Sequence, residues 1–166
     1  MGKLICVLFL SLLTAPSVAE DFSADVFDFE GKTKLFTFAG SRVTDKGVMT
    51  YSSEYKGLDS SVVIKEKATI TKGVIDNYEI ESLQSGEKGK IYVKGKKIYF
   101  EYTNEKKKRS KAKTKLQPNT LVSASLVPFL QENFSKILAK KDLNFKYAVW
   151  YRKELVSFRF VFYEEK

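Results

Sequence analysis

Between residues 25 and 116 the chain has no connection long enough to hold a crossover helix, and this limits its possible folds more than any other feature. Short runs rich in Val, Ile, Phe, Tyr and Thr, at residues 25–30, 34–42, 48–55, 61–70, 74–84, 89–94 and 97–103, repeat with a period of two. Gly31, Gly47, Gly57, Gly73, Gly86 and Gly95 fall between them, where a tight reversal favours a residue that tolerates positive φ. Strands joined so closely pair antiparallel with their sequence neighbours. The expectation is a mainly β domain: an antiparallel meander forming a curved sheet or (half-)barrel of about ten strands, with an α/β fold excluded.

One helix interrupts the pattern. Ser125 reads as an N-cap, Pro128 falls in the first turn where its missing N–H does least harm, and the helix is expected to end near residue 140. Val127, Leu130, Phe134, Ile137 and Leu138 recur at helical spacing as an apolar stripe. The stripe either covers the open side of the sheet or plugs a barrel and lines a cavity, so these five residues are the candidate apolar lining. A final hairpin follows over residues 143–151 and 155–163, turning at Arg152, Lys153 and Glu154. Leu143, Phe145, Tyr147 and Val149 alternate on one face of its first strand, and Val156, Phe158, Phe160 and Phe162 on one face of the second. These residues are expected to be core, with Trp150 on the opposite face.

The first nineteen residues read as a secretory signal peptide. Lys3 supplies the charged start, a ten-residue apolar stretch follows, and Ser17, Val18 and Ala19 give small side chains at the positions a signal peptidase reads. The apolar stretch is about half the ~20 residues that a membrane-spanning helix requires, and no later stretch reaches that length. Export to a bacterial periplasm or the cell exterior is therefore expected, with cleavage after Ala19 and a single domain over residues 20–166. Cys6 leaves with the leader, so the mature chain has no disulfide. It keeps 28 basic against 20 acidic side chains, a net of +8.

Much of that charge is local. Seven of the ten residues over 106–115 are basic, and from Arg109 the sequence alternates, setting Arg109, Lys111, Lys113 and Lys115 on one side of a strand. Such a row places cations ~6.7 Å apart over ~20 Å. Lys94, Lys96 and Lys97 lie one hairpin earlier. These seven residues are the candidate anion-binding set, matched to lipid headgroups or another anionic envelope component. The competing reading is edge protection, since Lys on an exposed edge strand discourages pairing with other molecules. No motif specifies nucleic acid, because Tyr92, Tyr99, Phe100 and Tyr102 are equally well explained as ordinary strand residues.

Enzymatic readings have little to stand on. The chain contains no His, which removes every mechanism built on imidazole, and it has neither an acidic loop with the spacing of a calcium site nor a Cys set for zinc. The Ser-x-x-Lys spacings at Ser53/Lys56, Ser85/Lys88 and Ser110/Lys113 fall in strands or turns, where the amine does not reach the hydroxyl as it would on a helix. Glu79 and Glu81 stand two apart on one strand face, as a solvated row does. No catalytic residue, metal or cofactor is assigned.

The order of leader, long antiparallel meander, single amphipathic helix and terminal hairpin resembles exported bacterial half-barrel or barrel proteins that carry lipids, such as the lipoprotein carriers of the periplasm. The last fifty residues also look like those of uncharacterised exported bacterial proteins in which a stretch like Asn119, Thr120, Leu121 and Val122 leads into a helix resembling residues 128–138 and then an aromatic hairpin. The resemblance is architectural and transfers no functional residue. Two functions follow as expectations. The first is a non-catalytic carrier whose apolar interior holds an acyl or isoprenoid chain while the basic ridge holds its headgroup. The alternative is a structural or adhesive envelope protein that binds a surface polyanion through the basic hairpin.

Overall fold

The structure, a computed structural model, describes residues 19–28, 30–139 and 141–160. The expected leader lies outside the described residues except for Ala19, and so do Phe162 and Tyr163 of the expected last strand. Eight strands form one open antiparallel sheet in sequence order: β1 (Ala19–Phe27), β2 (Lys34–Asp45), β3 (Val48–Lys56), β4 (Val62–Thr71), β5 (Val74–Ser82), β6 (Lys88–Lys94), β7 (Lys97–Thr103) and β8 (Arg109–Lys115). The meander read from the alternation is thus the architecture, with β1 and β8 as its edges. Lys46 and Gly47 join β2 to β3, and Lys72 and Gly73 join β4 to β5; all four adopt positive φ. That is the two-residue hairpin whose twist matches that of the flanking strands. Gly57 is not among the positive-φ residues; Ser60 takes that conformation in its loop instead.

Because strand side chains alternate, the register sorts the sequence into two faces. One face carries a row across six strands, Tyr51, Ala68, Tyr78, Ile91, Phe100 and Ala112, each opposite the next. The first five are buried and, with Ile70, Ile75 and Ile98, make the core. Towards β1 the same face is filled by rings: Phe22 lies 5.5 Å from Phe38, and Phe38 lies 4.9 Å from Tyr55.

The C-terminal third covers this face. The short strand β9 (Thr120–Leu121) pairs parallel with β10 (Leu143–Val149), which pairs antiparallel with β11 (Glu154–Phe160). Val122, Ala124 and Ala148 enter the core, and Trp150 lies over Gly89. A Cβ at Gly89 would stand 2.6 Å from the Trp150 ring, so the glycine is the space into which the indole fits. β9 was not read from the sequence, because a two-residue parallel pairing has no periodicity of its own.

Three expectations need correction. The expected helix is two: α1 (Ser123–Glu132) and α2 (Phe134–Leu138), broken at Asn133. The N-cap is Val122, and Ser125 instead sits in the first turn, where its Oγ accepts the Val122 N–H at 2.9 Å. Pro128 is consequently inside α1, where it removes the hydrogen bond to the carbonyl four residues back. In the terminal hairpin, Leu143 is buried, whereas Phe145, Tyr147 and Val149 are half-buried and Phe158 and Phe160 are exposed. The most enclosed residue of β10 is Ala148, on the opposite face, because it is that face which meets the main sheet.

Replacing Gly89 by Ala should cost about 2 kcal/mol through overpacking against the indole. Urea unfolding followed by fluorescence of Trp150, the only tryptophan, gives the value. An unchanged midpoint would contradict this seating of the ring.

Candidate anion-binding surface

The face of the sheet turned away from the core carries the charge, as the alternation requires. Across it run Ser52, Lys67, Glu79, Lys90, Glu101 and Lys111 in one row, and Glu54, Lys65, Glu81, Lys88, Thr103 and Arg109 in the next. Neighbours of opposite sign meet: Lys90 reaches Glu79 at 2.9 Å, Lys88 reaches Glu81 at 2.7 Å and Lys111 reaches Glu101 at 2.9 Å. Hydrogen bonds from Lys90 and Lys111 hold the Glu79 and Glu101 carboxyls below the usual carboxylate range. The best-formed hollow, about 510 Å³, lies along these rows between Lys65 and Lys111 and is open to solvent. A second, of about 320 Å³, adjoins it towards β2, along Ser41, Thr50 and Thr69.

Towards the turn between β6 and β7 the pattern changes. Lys94 stands opposite Lys97, and Lys97 opposite Lys115, so three ammonium groups line up on three neighbouring strands. Like charges placed directly across a sheet destabilise it. Lys96 sits in the connecting turn, and Lys113 stands opposite Tyr99, whose ring stacks on Tyr92 with centroids 5.2 Å apart. Among the described residues, none of Lys94, Lys96, Lys97, Lys113 and Lys115 forms an ion pair. The structure therefore divides the expected basic set. Five lysines converge at one corner, Lys111 is held by Glu101, and Arg109 lies six residues away at the far end of β8.

The expected apolar lining is placed elsewhere. Val127, Leu130 and Ile137 are half-buried, and Phe134 and Leu138 are 44% and 66% exposed. Only Ala124 and Ser125 of α1 are buried. The stripe thus lies along the outer part of the helical segment, and neither of the two hollows reaches it.

A buried polar cluster between the two sheets was missed. Glu66, 5% exposed, accepts hydrogen bonds from Ser53 (3.2 Å) and Ser123 (2.9 Å) at one carboxyl oxygen and from Tyr78 (3.0 Å) at the other. Burial pushes its carboxyl up, against those bonds, and no cation is paired with it among the described residues. Burial also pushes the Tyr147 phenol up to about 12 and raises that of Tyr78, with the Glu66 charge adding to both. The cluster ties β3, β4 and β5 to the start of α1 and fits a structural role, because its carboxylate has almost no access to solvent. One signal was in the sequence: Glu66 stands between Ile64 and Ala68 in an otherwise apolar period-two set.

No protein-family model, curated protein or solved structure matches this chain.

Glu66 contributes stability that is complete below its unfolded-state pKa and lost as pH rises through its higher folded-state pKa. Glu66→Gln should therefore gain in melting temperature over the native chain from acid to neutral pH, with the two converging at low pH; a constant difference would contradict the buried, uncompensated carboxylate. Lys97→Gln should stabilise the fold at low ionic strength by about 0.5 kcal/mol, a gain that salt erases. Destabilisation at low salt would show that the lysine row is compensated in a way this geometry does not contain.

Proposed function

We propose that the protein is an exported, non-catalytic binding protein whose ligand is a polyanion of the cell envelope, held at the corner formed by Lys94, Lys96, Lys97, Lys113 and Lys115. The observation that carries the reading is the cross-strand row Lys94, Lys97 and Lys115, a repulsive arrangement with no ion pair among the described residues. Along the middle of that face, by contrast, Lys65, Lys88, Lys90 and Lys111 each meet a carboxylate. An anionic polymer laid across the strands meets ammonium groups carried on strands about 4.8 Å apart and replaces their mutual repulsion by attraction. The stacked Tyr92 and Tyr99 beside them add a surface on which a sugar ring can rest.

A second reading, an amphiphile carrier, is favoured by one separate observation. Phe134 and Leu138 of α2 and Phe158 and Phe160 of β11 are exposed, and an acyl chain is the kind of partner that covers such side chains. The basic corner would then hold a headgroup.

The test is binding of a sulfated polysaccharide to the mature chain over a salt series. Lys94→Gln, Lys97→Gln and Lys115→Gln combined should lower affinity about a hundredfold at low salt and flatten the dependence of log K on log salt by about two to three units. Lys111→Gln, which removes a lysine already held by Glu101, should change it less than threefold, as exposed ion pairs do. Equal losses from both variants would point to net charge alone and refute the site.

A further inference from the structure

Among the described residues the open sheet has two unpaired edges, and their charges are opposite. β1 carries Glu20, Asp21 and Asp25 with no cation; β8 carries Arg109, Lys111, Lys113 and Lys115 with no carboxylate. The register places Asp21 and Lys111 in one row of the outward face, at its two ends, so Asp21 and Asp25 project from the same face as the four cations. An edge strand offers a line of free N–H and C=O groups to any second strand that its side chains admit. Lysines repel a like edge, and by the same field they attract an acidic one.

We propose that β8 of one molecule adds to β1 of the next, antiparallel, so that the meander continues from chain to chain as a head-to-tail assembly. Both strands are long enough for six facing residues. One register suits the charges that remain free. Arg109 and Lys113, which have no ion pair among the described residues, face Asp25 and Asp21 of the neighbour, while Lys111, held by Glu101, faces Ser23. Ala112 then meets Phe22 on the apolar face, extending the core row by one ring. Asp21 makes no ion pair among the described residues, and Asp25 keeps two intramolecular partners, Lys34 at 2.7 Å and the Thr37 hydroxyl at 3.3 Å. Lys94, Lys96 and Lys97 lie outside the contact, and Lys113, which the ligand corner also uses, is shared by the two readings. Because the two surfaces differ, the contact is heterologous and builds a ring or an open filament rather than a two-fold dimer.

Sedimentation velocity of the mature chain over a concentration series at low salt tests the proposal. The native chain should grow beyond the dimer as concentration rises, and salt should reverse the growth. Two charge-swapped chains, Asp21→Lys with Asp25→Lys and Arg109→Glu with Lys113→Glu, should each associate roughly a hundredfold more weakly, because both facing pairs then carry like charges. Mixed in equal amounts, they should assemble again as alternating copies, a rescue that misfolded chains would not give. A native chain that stays monomeric, association that survives in both variants alone, or failure of two folded variants to assemble on mixing would overturn it.

Discussion

The fold depends on register. Eight strands held in sequence order by short turns put every second side chain on one side, so the row from Tyr51 to Phe100 can be buried only if the opposite face is wet. One face then needs a cover and the other a way to hold many charges close together. The C-terminal third supplies the cover, and cross-strand pairs such as Lys90 with Glu79 answer the second need. At the corner of Lys94, Lys97 and Lys115 like charges face one another instead, and the proposed function rests on that break in the pattern.

The cover is attached by two unlike devices. At Gly89 a missing side chain lets Trp150 approach the sheet closely, and Tyr102 meets the indole edge at 5.6 Å. At Glu66 a buried carboxylate gathers hydroxyls from two strands of the sheet besides its own and from the helix start. Packing at the first site is indifferent to pH, while the second carries an ionisable group whose charged form burial opposes. The helices between them contribute little buried surface, consistent with Pro128 and the break at Asn133.

What was legible in the sequence was what local chemistry decides. Strand β7 falls where the alternation puts it, and the turns at Lys46 and Lys72 follow from the glycine after each. The eighth strand was visible through the spacing of Arg109, Lys111, Lys113 and Lys115. Features set by distant contacts were not legible. β9 exists only because β10 lies beside it, and the helix begins at Ser123, whose hydroxyl bonds to Glu66, 57 residues away in the chain. The candidate site was half visible: the basic residues were evident, but only the register shows that Lys97 faces both Lys94 and Lys115 while Lys111 faces Glu101.

The measurement that tests the central claim most directly is backbone amide NMR of residues 20–166 titrated with a sulfated polysaccharide. The account predicts shifts concentrated at the facing ends of β6, β7 and β8, around Lys94, Lys97 and Lys115, with little change along β3 and β4. Shifts centred on residues 127–138 would contradict it.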